Sequence, residues 1–281
     1  MSMNEATAGH EKVNIDLQGV PETLLWPLWN RGAEQKRREP LLADPMAADL
    51  LERIDYDFWS NFGAPNAGHV IRGRVMDDIV REWLGRNENG TVISLGEGLD
   101  TQFWRVDNGF MKWISVDLPE SIDMRLRLLP KVERMQTVSG SALATSWLDA
   151  APKGEPVFIM MAGLLMYFQE NEVRNLFYRI ADHFPPGTEL FFDAIPPWLS
   201  RKTMSKKGWY VTKTYKAPPM PWGIRYNELE QLLILHPSYR IKKQLTYADP
   251  YPERMRPYCY LVKISWLKNR LAPWMAHLAI D

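Results

Sequence analysis

The sequence has one cysteine, no net charge and no long apolar run. The single cysteine, Cys259, excludes an internal disulfide framework and a zinc site made of several cysteines. The 34 lysines and arginines balance 34 acidic residues, so no overall positive field favours nucleic-acid binding. No segment reaches the roughly 18 to 20 apolar residues that span a bilayer, and residues 1–12 contain no apolar run typical of a secretory signal. We therefore expect a cytoplasmic protein without nucleic-acid partners and without stable membrane insertion.

Several sequence signatures of catalysis are also absent. There is no phosphate-loop motif with Gly-Lys-Ser/Thr, no Gly-x-Ser-x-Gly nucleophile elbow, and no spacing of histidine, cysteine or acidic residues typical of metal ligands. We therefore predict no metal. Aromatic residues are abundant by contrast, with 12 tryptophans, 11 tyrosines and 10 phenylalanines. They either pack the core or form a pocket for a flat, apolar ligand.

Short apolar runs alternate with helical segments from residue 91 onward. The strands predicted from these runs are Thr91–Leu95, Trp113–Asp117, Met135–Ser139, Val157–Ala162, Glu189–Asp193, Tyr239–Leu245 and Tyr258–Ser265. Helices are predicted over Ser121–Leu129, Glu170–His183 and Asn227–Leu235. Continuous apolar strands separated by helices indicate an α/β fold with a mostly parallel sheet that is covered on both faces. The last two strands follow each other closely, which predicts an antiparallel hairpin at one edge.

The residues before the first of these strands form a different region. Apolar residues at helical spacing in Glu39–Ser60 predict one or two short helices, with Asp44-Pro45 at an N-terminus. A further helix is predicted over Val70–Leu84. We therefore expect a flexible N-terminus at 1–14, a helical cap at 15–88, and a sheet domain at 89–281 with a lid inserted at about 196–225.

Two segments near the end of the chain combine aromatic and basic residues. Arg201–Lys216 contains six basic residues, no acidic one, and Trp209, Tyr210 and Tyr215. It is either a mobile lid that attracts an acidic, aromatic ligand or a solvated basic loop. The tail Trp266–Ile280 is amphipathic, and we expect it to pack onto the domain or onto a second subunit in a homodimer.

A glycine turn follows the first predicted strand of the sheet. Gly96 and Gly98 stand directly after this strand, and the next strand ends in Asp117, about twenty residues later. Ligands of open α/β sheets bind beyond the carboxyl ends of the strands. Glycines there let the backbone approach a nucleoside, and the aspartate can accept hydrogen bonds from both ribose hydroxyls. The alternative is that the glycines form only a tight strand-to-helix turn.

The type of nucleoside follows from what this turn lacks. Dinucleotide-binding turns carry a third glycine three residues after the second, where this chain has Thr101. A ligand that contains adenosine but no pyrophosphate fits the shortened turn better. We therefore predict S-adenosyl-L-methionine as the cofactor.

The residues around the turn resemble the leucine carboxyl methyltransferase family. The resemblance rests on SLGEGLDTQFWRV, WISVDLPE and RLRLLP, and further along on AGLLMYF and PWGIRYNELEQLLILHP. With TLLWPLWNRGAEQKRREPLLADPMAADLL, DYDFW and IRGRVMDDIV upstream, it covers roughly residues 20 to 265. Within the family, the chain is similar to a branch of polyketide O-methyltransferases that resembles the tetracenomycin enzyme. The resemblance implies a Rossmann-like class I methyltransferase sheet.

The resemblance also assigns a cofactor site. It implies that the cofactor-binding residues include Gly96, Glu97, Gly98, Asp117, Leu118, Ala142, Leu143 and Ala162. Arg74 matches the arginine that pairs with the cofactor's carboxylate through a bidentate contact, and the neighbouring Arg72 is the alternative.

Two positions depart from the family's pattern. Ala142 stands where the family has an aspartate at the adenine, and Ala162 stands where it has a glutamate near the methionine end. Each missing charged hydrogen bond would remove about 1.5 to 3 kcal/mol of binding free energy. Glu97, between the two glycines, either supplies a substitute carboxylate or crowds the cofactor.

The acceptor side is predicted from aromatic residues and from the resemblance, in which Arg37 and Arg38 lie where the family has a basic residue near the substrate. The candidate substrate-binding residues are Trp26, Trp29, Arg37, Trp209, Tyr210 and Trp222, and the candidate catalytic residues are His69 and Tyr167. A phenol, with a pKa near 10, would benefit from a general base such as His69, whereas a carboxylate acceptor needs no base.

These residues predict an S-adenosylmethionine-dependent O-methyltransferase. Its acceptor would be a carboxylate or a phenolic hydroxyl of a small, aromatic, polyketide-like metabolite. Because of Ala142 and Ala162, the alternative is a methyltransferase-fold protein that acts as a cyclase or decarboxylase, or that only binds a ligand. A protein carboxyl methyltransferase that acts on a phosphatase C-terminus is a third candidate, against which the branch motifs argue.

Overall fold

The computed structural model describes residues 12–15, 17–234 and 236–281. Its strands are, in chain order, β1 (Val13–Asn14), β2 (Ile54–Asp55), β3 (Thr91–Leu95), β4 (Lys112–Asp117), β5 (Met135–Ser139), β6 (Val157–Met161), β7 (Glu189–Ala194), β8 (Trp209–Tyr210), β9 (Lys216–Ala217), β10 (Tyr239–Thr246) and β11 (Trp274–Ile280). Its helices are α1 (Leu25–Gln35), α2 (Pro45–Arg53), α3 (Phe58–Phe62), α4 (Ala67–Leu84), α5 (Gln102–Val106), α6 (Pro119–Leu128), α7 (Ser146–Ala150), α8 (Glu170–His183), α9 (Pro197–Met204), α10 (Leu229–Leu233), α11 (Tyr258–Leu261) and α12 (Ser265–Leu271).

Seven strands form one central sheet in the order β10-β11-β7-β6-β3-β4-β5. The five strands from β7 to β5 pair in parallel, whereas β11 runs antiparallel to both of its neighbours. The central strands β3, β6 and β7 are buried along their whole length, because helices cover both faces of the sheet. The predicted Rossmann-like α/β fold, with a mostly parallel sheet and an antiparallel strand pair at one edge, is therefore confirmed.

The last strand is not the one that the sequence pattern predicts. The prediction of a strand at Tyr258–Ser265 is wrong, because α11 and the start of α12 occupy this region. The strand that pairs with β10 is β11, in the second half of the amphipathic tail. A strand between two others is buried on both faces, and all seven residues of β11 are buried. In Tyr258–Ser265, Tyr260 and Ile264 are more than half exposed, so this segment does not have the burial of a strand that lies between two others.

Two apolar cores cover the two faces of the sheet. On one face, Trp147 of α7 and Phe177 of α8 pack against the strands. On the other face, Trp83 of α4 lies against Phe158 of β6, with ring centroids 5.5 Å apart. Part of the aromatic excess is therefore core packing.

Helices α1 to α4 precede the first central strand, where the sequence predicts a helical cap. Helix α2 begins at Pro45 as predicted, and the Asp44 side chain accepts a hydrogen bond from the Ala47 amide at 3.0 Å. Tyr215 and Met220, from the segment after α9, join the apolar core of these helices. The first helices and the proposed lid segment therefore meet over the same end of the sheet.

The expectation of a flexible N-terminus at 1–14 falls largely on residues 1–11, which lie outside the described residues. Val13–Asn14 pairs with Ile54–Asp55 in a short parallel ladder. Within the described part of the chain, no helix has the length and hydropathy needed to cross a membrane.

Candidate cofactor and acceptor site

A cavity of about 1110 Å³ opens at the carboxyl ends of β3, β4, β5, β6 and β7. Residues from α1, α4, α9 and the segment after β10 close it on the other sides. Single small-molecule pockets usually measure about 300 to 1,000 Å³. This cavity is therefore at the upper end of that range, large enough for a ligand of considerable size.

The glycine turn after β3 forms one wall of this cavity. Gly96 and Gly98 have positive φ angles of 69° and 54°, which favour glycine. A Cβ atom at Gly96 would lie 2.8 Å from a Leu164 methyl carbon, and one at Gly98 would lie 2.8 Å from Cβ of Leu24. Both leucines line the cavity, so glycines keep this wall close-fitting without a clash.

Asp117, at the end of β4, is tied directly to this turn. Its Oδ2 accepts a hydrogen bond from the Gly98 amide at 2.7 Å, and its Oδ1 accepts one from the Leu118 amide at 2.7 Å. Burial raises the pKa of Asp117, while the two amides favour its ionised form. Asp117 and Leu118 both line the cavity, as their predicted role at the cofactor requires.

Glu97 lines the cavity between the two glycines, but its carboxylate is engaged in the interior. One oxygen accepts hydrogen bonds from Trp113 Nε1 at 3.0 Å and from Arg125 at 2.9 Å. Arg125 also donates to the carbonyl oxygens of Gly98 and Asp100, at 3.0 and 2.7 Å. Burial raises the pKa of Glu97 to about 7, although Arg125 opposes the shift. These contacts assign Glu97 to support of the turn, in place of the substitute cofactor carboxylate that the sequence suggests.

Arg72 and Arg74 point to different sides of α4. Residues two apart on a helix are separated by about 200° around its axis. Arg72 is buried and lines the cavity, whereas the Arg74 side chain is 40 % exposed and donates to Asp78 at 2.9 Å. Arg74 is not part of the cavity wall. Of these two arginines, the one that reaches the cavity is therefore Arg72, which the sequence analysis gives as the alternative.

Asp193, at the end of β7, joins Arg72 to the turn after β6. Its Oδ2 accepts hydrogen bonds from Arg72 at 3.1 Å and from the Tyr247 hydroxyl at 2.7 Å. Its Oδ1 accepts one from the amide of Gly163 at 2.5 Å. Gly163 follows Ala162, so a carboxylate from the neighbouring strand stands beside the position where the family has its glutamate. Asp193 and Tyr247 are residues that the sequence reasoning missed.

A second arginine enters the cavity wall from α1. Arg31 is buried and donates to Asp44 and to the Leu99 carbonyl oxygen, each at 3.0 Å, and it lies 3.4 Å from Asp100. Burial alone would raise the pKa of Asp100, but Arg31, Arg105 and Arg72 outweigh it and hold that pKa below its usual range. This end of the cavity is therefore lined by paired, ionised groups.

Another part of the cavity wall is aromatic and apolar. Trp26, His69, Tyr167 and Trp209 line it, together with Leu199 and Met220. The Trp26 ring packs edge-on against the His69 ring, with ring centroids 5.5 Å apart. Its centroid lies 6.0 Å from that of the Trp209 ring. Burial raises the pKa of the Tyr167 phenol, which stays protonated at neutral pH. Arg37 lines the cavity as well, near Glu34 and Arg254.

Besides Arg74, four other predicted site residues lie outside this cavity. Trp29 donates to the Gly63 carbonyl oxygen at 3.0 Å and stacks on Phe58. Tyr210 is 57 % exposed and lies under Lys216, and Trp222 is buried in the core of the sheet. Leu143 packs against the same core, so that of the neighbouring residues Ala142 and Leu143 only Ala142 lines the cavity. The geometry therefore gives these four residues packing contacts and no direct part in the site.

Comparisons with known proteins identify the family of this chain. A family model described as leucine carboxyl methyltransferase matches residues 25–181. The tetracenomycin polyketide synthesis O-methyltransferase TcmP of Streptomyces glaucescens is 31 % identical over 231 residues, which cover 78 % of this chain and 85 % of that protein. The S-adenosyl-L-methionine-dependent methyltransferase dpfgK of Gibberella zeae is 26 % identical over 264 residues, 82 % of this chain and 88 % of that protein.

A solved structure supports the fold. The N-methyltransferase NodS of Bradyrhizobium japonicum, crystallised with S-adenosylhomocysteine, matches 94 % of this chain and 100 % of its own at a TM-score of 0.50. At 11 % identity this likeness shows a class I methyltransferase fold and no more. Among the described residues, no group of three or more histidines, cysteines or acids is placed to hold a metal ion. The resemblance and the cofactor predicted from the glycine turn are confirmed: the chain belongs to the leucine carboxyl methyltransferase family of S-adenosylmethionine-dependent methyltransferases.

Proposed function

We propose that the protein methylates an oxygen atom of a small, aromatic, polyketide-like acceptor, either a carboxylate or a phenolic hydroxyl. The observation that carries this proposal is one cavity in which the glycine turn and Asp117 adjoin an aromatic compartment. The name of the relative TcmP, an O-methyltransferase of polyketide synthesis, supports an acceptor of this class.

The residues present fit the cofactor. Gly96 and Gly98 line the cavity, and the Gly98 amide holds the Asp117 carboxylate beyond the strand ends, where a ribose would lie. Arg72, a buried arginine of the cavity wall, would meet the carboxylate at the methionine end of the cofactor. When bound, S-adenosylmethionine supplies an electrophilic methyl carbon, which the acceptor oxygen attacks while the carbon–sulfur bond breaks and its electron pair stays on sulfur.

The aromatic compartment would position the acceptor. Trp26 and Trp209 offer ring faces and edges to a flat molecule, and Leu199 and Met220 exclude water beside them. Holding the acceptor oxygen in line with the methyl carbon accounts for most of what such an enzyme must do. Arg37 and Arg254, near the outer part of α1, favour an acceptor that carries negative charge.

A non-methylating activity is the second candidate, and the two alanines favour it. Ala142 and Ala162 line the cavity without the acids of the family pattern. Asp193 weakens this argument at one of the two positions, because its carboxylate lies next to Gly163. We therefore favour retained methyl transfer.

Calorimetry and a transfer assay test the proposal. We expect the purified protein to bind S-adenosylmethionine and S-adenosylhomocysteine, and Asp117→Asn to weaken binding about tenfold or more, because a charged acceptor is lost. Asp123→Asn, on the exposed face of α6, is the matched control and should bind normally. Absence of binding would overturn the proposal. Binding without methyl transfer to any hydroxylated aromatic acid would favour the non-methylating candidate.

A further inference from the structure

A chain of hydrogen bonds runs from the start of α4 through α1 to the cavity wall. The backbone N–H of Asn66 donates to Oδ1 of Asn30 at 3.0 Å. Nδ2 of Asn30 lies 2.6 Å from Nδ1 of His69. Asn30 is 1 % exposed, while His69 and Asn30 both line the cavity. The sequence gives no sign of this arrangement, because Asn30 and His69 are 39 residues apart.

The direction of each hydrogen bond follows from the first one. A backbone N–H can only donate, so the atom of Asn30 that faces Asn66 is its oxygen. The other end of that amide is therefore the NH₂ group, which also can only donate. Nδ1 of His69 must then accept, and a neutral imidazole that accepts at Nδ1 carries its proton on Nε2. Among the described residues, no group forms a hydrogen bond with Nε2, so a molecule in the cavity can take that place.

Burial, with two nearby arginines, keeps the ring neutral. Burial lowers the pKa of His69 well below its usual value, and Arg72 on the same helix and Arg31 on α1 lower it further. These are the charged groups that act on the ring from the two helices packed around it. A neutral ring with its proton on Nε2 offers a donor to the cavity and has no free lone pair for a proton.

We propose that Asn30 is a positioning residue that fixes His69 as a hydrogen-bond donor to the methyl acceptor, and not as its general base. This inference rests on the proposed methyl transfer. A donor at this place stabilises an oxygen that is already ionised when the acceptor binds. His69 would therefore orient the acceptor, and proton removal by this histidine would play no part in the step.

The ring's protonation can be measured on the protein alone. A long-range ¹H–¹⁵N correlation spectrum distinguishes the two neutral tautomers and the charged ring, and His69→Gln identifies the His69 signals by their loss. We expect Nε2 to be protonated and Nδ1 to be unprotonated at neutral pH. A proton on Nδ1, or a charged ring, would overturn the proposal. This spectrum needs no methyl transfer, so its result is independent of the proposed function.

Substitutions at His69 test the donor role. Glutamine keeps an N–H donor but cannot act as a base, whereas phenylalanine has neither property. We expect His69→Gln to keep much of kcat/KM and His69→Phe to lose about tenfold or more. Equal losses in both variants would indicate a base, and no loss in His69→Phe would show that the ring does not touch the acceptor. Either result overturns the proposal.

In Asn30→Asp, a donor role and a base role of His69 predict opposite changes of activity with pH. An aspartate still accepts from Asn66, but its other oxygen can only accept a hydrogen bond from Nδ1–H of His69, so the neutral ring would present the lone pair of Nε2 to the acceptor. If His69 acts as a donor, the activity of this variant should fall as pH rises and the ring becomes neutral. As a base, it should gain activity over the same range, which would contradict the proposal. Asn175→Asp, on the exposed side of α8, adds the same charge away from the cavity and serves as the control.

Discussion

The guanidinium of Arg72 donates to the carboxylate of Asp193 at 3.1 Å and so ties α4 to the carboxyl end of β7. Both side chains are buried. The same carboxylate accepts hydrogen bonds from Gly163 and Tyr247, which brings the turn after β6 and the segment after β10 into one network. Four parts of the chain therefore depend on one acid at the cavity wall.

Asp193→Asn should destabilise the fold strongly. The substitution leaves Arg72 as a buried charge without its partner, which costs about 3 kcal/mol or more. Urea denaturation measures the loss. Asp78→Asn removes the exposed partner of Arg74 and should cost less than about 1 kcal/mol. Similar small losses in both variants would show that the Arg72–Asp193 pair does not support the structure.

Arg72→Lys and Arg74→Lys separate the two arginines of α4. Lysine keeps the charge but loses the planar fork that binds a carboxylate through two hydrogen bonds. We expect Arg72→Lys to weaken S-adenosylmethionine binding about tenfold, and Arg74→Lys to leave it unchanged, because Arg74 lies outside the cavity. Isothermal titration calorimetry gives both values. The reverse order would restore Arg74 to the role that the family resemblance implies.

Ala162→Glu should weaken the cofactor site. The family's glutamate is absent here, but Asp193 already places a carboxylate at the amide of Gly163. A second carboxylate would compete for Arg72 and repel Asp193. We expect weaker S-adenosylmethionine binding in Ala162→Glu and partial recovery when Asp193→Ala is added to it. A gain in affinity from Ala162→Glu alone would show that Asp193 does not replace the missing acid.

The sequence predicts the parts of the site that depend on local pattern. Asp117 is recognised because it ends β4, the next strand along the chain after the glycine turn. The same rule applies to Asp193 at the end of β7. The sequence therefore carries the same signal for Asp193 as for Asp117. The choice between Arg72 and Arg74 instead depends on how α4 rotates against the sheet, which only the packing of Val70, Ile71 and Val75 decides.

Contacts between distant segments are the part that sequence pattern cannot give. Asn30 reaches His69 because α1 crosses the start of α4, and neither segment shows this alone. The sequence pattern predicts an amphipathic tail over the residues of β11, because its two partner strands are far away in the chain and no local feature shows that it lies between them. Strand existence is a local property, whereas strand order is not.

Glu97→Gln should change how stability depends on pH. Burial raises the pKa of Glu97 to about 7 in the folded protein, above its ordinary value of 4.5. The folded state therefore holds a proton that the unfolded chain has already released. Its stabilising contribution is complete below about pH 4.5 and is lost as pH rises toward about 7, by up to about 3 kcal/mol.

Glutamine has the neutral form's shape and cannot ionise, so Glu97→Gln should not show this loss. Its oxygen can still accept from Trp113 and Arg125, and its NH₂ group has Ser115 nearby, whose hydroxyl has no other partner among the described residues. Urea denaturation at about pH 5 and about pH 8 measures the difference, and we expect the variant to be the more stable at the higher pH. Glu82→Gln, at an exposed position of α4, is the control and should follow the unaltered protein. If the stability of Glu97→Gln also changes with pH as that of the unaltered protein does, Glu97 is ionised at both pH values, and its pair with Arg125 outweighs the effect of burial.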